Sequence, residues 1–335
     1  MRRFCAIALG LVGFGTGGAN AQETLVVSTW LSPQHEMNAT VWPTWAQSVE
    51  EATEGRVTVK IEYNLAPPPA QLDLIRDGAA DATWIFHGYN PGRFVATQLP
   101  ELPGTDASAE AISVAYWRVH QNHLAAAEEH RGVKLIGLST HGPGVLHTRD
   151  AISGLDAIDG LKIRIGGGVS GDIGEALGMV GVQVPAPKVY ETVSSGVANG
   201  VMMPMETKAS LKLAEIAPHS MKMPGGFYYG SFAFVMSQER FDSLSPEDQA
   251  AIDSVSGEVL SKLAGQAWDA GDDAGEAFAK ESGNTIEVAD QATLQAFQEK
   301  TKAIEATVLE RIADLGIDAE AALAELRDLA TNYGG

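Results

Sequence analysis

The chain has 335 residues, with 43 acidic against 23 basic side chains and a formal charge of −20. That balance excludes nucleic acid and anionic lipid as partners, because both would be repelled, and an anionic ligand would need a locally positive site. The single cysteine, Cys5, excludes a disulfide framework.

Residues 1–21 read as an export signal. Arg2 and Arg3 open it, Ala6 to Phe14 form an apolar stretch, and Ala19-Asn20-Ala21 supplies a small-x-small cleavage pattern. The charged start is too short to favour the twin-arginine route over ordinary secretion. Cys5 precedes the apolar stretch, where it cannot serve as a lipid anchor. No later stretch approaches the ~18 apolar residues that span a bilayer, so a free periplasmic protein beginning near Gln22 is expected. What remains is longer than one core usually accommodates, which predicts two lobes.

Strand-like runs at 24–29, 57–63, 81–85 and 133–138 alternate with helix-like runs at 37–53, interrupted at Pro43, and at 69–77 and 107–130. That alternation predicts a first α/β lobe over 22–143 with a largely parallel sheet. A second set follows in 144–236, with strands at 161–165, 180–184, 201–203, 220–223 and 231–236 and helices at 171–178, 188–195 and 206–215. Ligand is then expected in the cleft between the lobes. The last segment, 237–335, is helical. Ser245-Pro246-Glu247 is a helix start. From there Ile252, Val255, Val259, Leu263, Ala267, Ala270, Ala274 and Phe278 recur at spacings of three or four. They predict one helix of roughly 32 residues, about 48 Å, able to brace both lobes. A coiled-coil seam between two chains is the alternative, which the small residues of its second half disfavour. A short strand at 286–288 and helices at 291–312 and 319–329 close the chain.

Gly160-Leu161-Lys162-Ile163-Arg164-Ile165-Gly166 puts an arginine inside a β-branched run that ends in glycine, so its guanidinium should emerge where strand hands over to helix. A planar, permanently charged fork matches a carboxylate there, with each charge-assisted bond worth ~1.5–3 kcal/mol. Pairing with a neighbouring acid is the structural alternative. Aromatic and amphipathic residues gather at three strand-to-loop junctions: Trp30 and His35; Trp84, Phe86, His87 and Tyr89; Phe227, Tyr228 and Tyr229. Residues 166–171 match G-x-G-x-x-G, yet Val184-Pro185-Ala186-Pro187 stands where a dinucleotide site needs an acid, so a glycine turn approached by ligand or hinge is the better reading. His120 and His123, and His141 and His147, lack the carboxylates or spacing of a metal set. No nucleophile elbow, zinc motif or redox motif occurs, so no cofactor is expected. A base at His87 or His141 would suit an exported lyase, and a ligand-presenting sensor is the other alternative.

The succession of Gly-Leu-Lys-Ile-Arg at 160–164, Leu177-Gly178, Val189-Tyr190, Gly196 to Gly200 with Pro204, and Leu244-Ser245-Pro246-Glu247-Asp248 resembles the periplasmic solute-binding subunit of tripartite ATP-independent periplasmic (TRAP) transporters, the DctP-like family. The resemblance implies a two-lobe α/β periplasmic binding protein with an interlobe cleft and a long bridging helix. It implies a protein that shuts on a small organic acid, catalyses nothing and delivers its cargo to small and large membrane permease subunits. By the same resemblance Arg164 grips the carboxylate. Trp30, His35, Trp84, His87, Tyr89, Gly166, Met203, Glu206, Phe227 and Tyr228 are expected around the ligand. The chain departs from the family pattern at Gly166, where proline is common, and at Met203, where a polar asparagine contact is lost. It also lacks the second arginine that sugar-acid binders carry near 141–144. A monocarboxylate with an apolar or cationic remainder is therefore expected: a 2-oxo or 2-hydroxy acid, an aromatic acid, or a zwitterion such as ectoine or dimethylsulfoniopropionate. A monomer is expected, with a dimer as the alternative.

Overall fold

The computed structural model describes residues 22–334, so the export signal read from 1–21 lies outside the described residues. Two sheets form separate layers. The first runs β2-β1-β3-β10-β4, from β1 (Glu23–Thr29), β2 (Val57–Tyr63), β3 (Ala82–Phe86), β4 (Val133–Thr140) and β10 (Ser231–Ser237). The second runs β11-β9-β5-β8-β6-β7, from β5 (Val145–Thr148), β6 (Lys162–Ile165), β7 (Val180–Gln183), β8 (Gly200–Met203), β9 (His219–Lys222) and β11 (Thr285–Val288).

The helices, in order, are α1 (Trp42–Ala52), α2 (Gln71–Arg76), α3 (Ala109–Asn122), α4 (Val169–Ala176), α5 (Val189–Ser194), α6 (Thr207–Ser210), α7 (Leu213–Ile216), α8 (Gln238–Ser243), α9 (Pro246–Ser254), α10 (Glu258–Glu281), α11 (Gln291–Ala313) and α12 (Ala319–Thr331). Among the described residues no helix is long and apolar enough to cross a membrane.

The strand at 231–237, expected with the second half, is a central strand of the first sheet. It lies antiparallel to both β3 and β4. Six of its seven residues are buried, as a run apolar on both faces requires. The first sheet is therefore mixed rather than largely parallel, because the chain leaves it after β4, builds the second sheet, and returns in β10. The strand β5 has no counterpart in the sequence reading: four residues behind Gly144 are too few to show a period.

Helix boundaries differ for local reasons. The helix expected over 107–130 stops at Asn122, after which a 3-10 turn covers Leu124–Ala127 and Glu128 takes a left-handed φ of 49°. The helix expected over 206–215 is two short ones, broken where Lys212 sits at φ 57°. The single helix of roughly 32 residues divides into α9 and a 24-residue α10 at Gly257, whose φ of 64° no helix interior accepts.

The buried face of α10 is also rotated from the expected one. Val259 and Phe278 are 58% and 42% exposed, while Leu260, Ala264, Trp268 and three glycines face inward. A Cβ on Gly265 would stand 2.4 Å from Glu110 Cα, and one on Gly275 would stand 2.2 Å from the Met205 carbonyl. The glycines let α10 press on α3 of the first lobe and on residues 205–206 of the second, so it does touch both. A stripe drawn through apolar residues and alanines left the glycines out and missed that face.

Candidate functional site

Arg164 is the third residue of β6, which lies parallel between β8 and β7. Its side chain turns over the end of β7, where Nε and Nη2 both donate to the Val184 carbonyl at 2.9 and 2.7 Å. Nη2 also donates to the Tyr89 hydroxyl at 3.3 Å. A guanidinium has five N–H donors. The two on Nη1 have no protein partner among the described residues. The residue is 2% exposed, and among the described residues no carboxylate lies within 4.0 Å of it. A buried cation without a counter-charge is costly, so the site is built for an anion.

Tyr89 reaches the same point from the opposite lobe. Its oxygen accepts from the Ala186 amide at 2.8 Å as well as from Arg164. The hydroxyl hydrogen is thereby left for a third partner. Lobe I and lobe II thus present adjacent donors to one position.

From this cationic end an aromatic wall extends. Phe86 meets Tyr89 edge-on at 4.8 Å between ring centroids and Phe232 at 5.2 Å, and Phe232 in turn meets Trp268 at 5.3 Å. Trp30 supplies the facing surface, stacked on Trp84 at 4.2 Å with 11° between planes. The cavity between these rings has a volume of about 40 Å³. Part of its lining is polar. His35 and His141 each meet Trp268, at 5.3 and 6.1 Å, and His35 Nε2 lies 3.7 Å from Glu206.

Of the residues expected around the ligand, the structure brings Arg164, Trp30, His35, Tyr89, Gly166, Met203, Glu206 and Tyr228 to this cavity. Three expected residues are elsewhere. Trp84 is fully buried behind Trp30, with its indole N–H bonded to Thr29 Oγ1 at 2.9 Å. Phe227 packs against Phe297 at 5.2 Å, away from the cavity. His87 points into a separate buried network. The lining residues not proposed for the ligand include Phe232, Trp268 and His141. Trp268 was overlooked because the apolar stripe on α10 was drawn one position away, and Phe232 because its strand was assigned to the other sheet.

The His87 network joins the lobes. Glu101 accepts from Ser231 Oγ at 2.6 Å and from the Val169 amide of α4 at 2.9 Å. His87 Nδ1 lies 3.0 Å from the same Ser231 oxygen, and its Nε2 lies 3.0 Å from His130. Burial pushes the Glu101 carboxyl up to about 7 and holds His87 down at about 3. The glycine run closes beside it. Gly167, at φ 101°, comes so near the other lobe that a Cβ would stand 2.4 Å from the Gly88 carbonyl oxygen. Gly167 is therefore demanded by a backbone-to-backbone approach between lobes, while a Cβ at Gly166 or Gly168 would meet the Phe86 ring or the Glu101 carboxyl. Among the described residues no group of three or more His, Cys, Asp or Glu is arranged to hold a metal.

Residues 27–311 match the model of the bacterial extracellular solute-binding proteins, family 7, DctP. Among solved structures, the fold superposes with a TM-score of 0.90 on a TRAP periplasmic solute-binding protein from Bordetella bronchiseptica with bound (R)- and (S)-mandelate. That chain is 37% identical, and the match covers 92% of this chain and 98% of the other. A TRAP solute-binding protein from Rhodoferax ferrireducens with copurified benzoate is 30% identical, with a TM-score of 0.86 over 92% of this chain and 97% of that one. The outer membrane transporter protein TsaT of Comamonas testosteroni is 31% identical over 264 residues, 78% of each chain.

Proposed function

Because the chain belongs to family 7 of the bacterial extracellular solute-binding proteins, the solute receptors of TRAP transporters, we propose that its interlobe cleft binds a compact aromatic monocarboxylate and hands it to a membrane permease. The observation that carries this is Arg164: buried, without a counter-charge among the described residues, and set with Tyr89 at the end of a cavity walled by Trp30, Phe86, Phe232 and Trp268. Two charge-assisted bonds at ~1.5–3 kcal/mol each, with aromatic contacts of ~0.5–1.5 kcal/mol, supply most of the ~8 kcal/mol of a micromolar complex. The mandelate and benzoate held by two relatives support the same class.

The protein acts in the periplasm after removal of its signal, as a monomer, and leaves its ligand chemically unchanged. His87 is no general base toward the cleft, since both ring nitrogens are engaged by Ser231 and His130. The test is calorimetry with benzoate, phenylacetate, mandelate and succinate, together with mass spectrometry of acids extracted from the purified protein. Micromolar or tighter binding of an aromatic acid, recovered intact, is expected. Tighter binding of succinate, or recovery of a converted product, overturns the proposal.

A further inference from the structure

Glu101 is a buried carboxyl outside the lining of the ligand cavity, and its two oxygens have different partners. Oε1 is satisfied inside the first lobe, by Ser231 Oγ at 2.6 Å and the Ser231 amide at 3.3 Å. Oε2 faces the other lobe. Its one partner among the described residues is the Val169 amide, at 2.9 Å. Val169 opens α4, and the residue before it, Gly168, has no side chain with which to accept from the first amides of the helix. Asp172, the acid in the first turn, is paired with Arg311 at 3.0 Å. Val169 and Ser170 are buried, so water does not serve that end either. The cap comes from the opposite lobe, and the bare Gly168 admits it: a Cβ there would stand 2.4 Å from Glu101 Oε2. Arg164, Gly167 and Val169 follow one another through a single strand-to-helix turn. A movement of the second lobe that parts Arg164 from Tyr89 therefore carries Val169 away from Glu101 as well.

We propose that Glu101 is a positioning residue for closure: from outside the cavity, its Oε2 caps α4 of the opposite lobe when the lobes shut on ligand, and so slows the ligand's release. This rests on the receptor reading of the cleft given above. The contact needs an acceptor rather than a charge. An ionised Glu101 takes the Ser231 hydroxyl hydrogen, Ser231 Oγ then accepts from His87 Nδ1, and His87 Nε2 accepts from His130. A protonated Glu101 gives its hydrogen from Oε1 to Ser231 Oγ, and every donor in that chain reverses. Oε2 accepts from Val169 in both cases. Without the acceptor, the shut form would hold a buried amide with no partner, and only the shut form would carry that cost.

Stopped-flow fluorescence of Trp30 and Trp268, which line the cavity, reads kon and koff for the full protein with benzoate and mandelate as probes. E101M keeps the side-chain length and removes the acceptor. It should raise koff tenfold or more while kon stays within threefold. E101Q, which can offer its carbonyl to Val169 and its amide hydrogens to Ser231, should keep koff within threefold of the native value. V169P removes the donor instead, at the first helical position, where proline is accepted. It should raise koff by a factor similar to that of E101M, and the double variant E101M/V169P should add less than threefold to either single one. If E101M does not fold, V169P and E101Q decide. A koff within threefold of native in E101M or V169P overturns the role of Glu101 and leaves the carboxylate reading standing. A loss in E101Q equal to that in E101M, or full additivity in the double variant, overturns it too. If neither acid binds the native protein, the receptor reading and this one fail together.

Discussion

Replacing Arg164 by lysine separates the fork from the charge. In the native side chain, three of five N–H donors are fixed on protein: two on the Val184 carbonyl and one on the Tyr89 hydroxyl. The two on Nη1 remain for the ligand. A lysine has one nitrogen with three donors and cannot span these positions. If it stays on the Val184 carbonyl, the ligand loses its second contact. If it swings to the ligand, a buried carbonyl is left bare at a cost of ~1–3 kcal/mol. Either way about one charge-assisted bond is lost, ~1.5–3 kcal/mol, or about ten- to hundredfold in Kd. Calorimetry of R164K with the tightest aromatic acid measures this directly, and thermal unfolding of the free protein confirms that the fold is kept. A Kd within threefold of the native value would refute the reasoning, because charge alone would then account for binding. R164M, which removes the charge as well, should bind with no measurable heat.

Y89F removes the hydroxyl that holds Arg164 and faces the same position. It should weaken binding by about ten- to hundredfold, the equivalent of one hydrogen bond to a charged group, with little change in unfolding temperature. G167A places a Cβ against the Gly88 carbonyl at a φ of 101°. It should lose at least tenfold in affinity, and small-angle X-ray scattering should find the ligand-induced compaction expected of the native protein abolished in the variant, since the clash with Gly88 arises where the lobes meet. For pH, His147 is informative. Burial first, and then the nearby Lys208 cation, hold it at about 3, below its usual 6.5. A base whose folded value is depressed gives full stability above 6.5, and that stability is lost as pH falls toward 3. The loss is ~1.4 kcal/mol per unit, hence about 2 kcal/mol between pH 6.5 and pH 5. Urea unfolding of H147Q should show an acid loss smaller by that amount over the same range, and equal losses would contradict the assignment.

The Arg164 position was legible because a charged residue inside a β-branched run is locally anomalous, and the anomaly persists in the structure as a buried cation. The aromatic clusters were legible as clusters but not as layers. Trp30 and Trp84 are equivalent in sequence, whereas stacking puts one at the cavity and the other behind it. Which of two neighbouring aromatics faces ligand depends on sheet order, and sheet order depends on a long-range return of β10 that no local period encodes. The long helix shows a different limit. Its packing face includes three glycines, which score as helix breakers locally but permit the closest approach globally. The place of His141 in the lining could be found only from the fold, since it stands in no pattern of its own.

These contacts make binding and closure a single event. Tyr89 and Gly88 come from the first lobe, and Arg164, Gly167 and Ala186 from the second, and the cavity has its cationic end only when they meet. A shut form without an anion would bury the Arg164 charge with a carbonyl and a phenol for company. Neither supplies the opposite charge that repays desolvation. An open form that exposed Arg164 to water would avoid that cost. A carboxylate therefore interacts differently with the two forms, and by that difference alone it can shift their populations. The same arithmetic limits the ligand: an uncharged aromatic of the same shape would fill the cavity yet leave the cation unpaired, and so would not hold the lobes together. Selectivity for acids over their amides or alcohols then arises from closure itself, and an amide analogue that binds without compacting the protein is the behaviour this coupling requires.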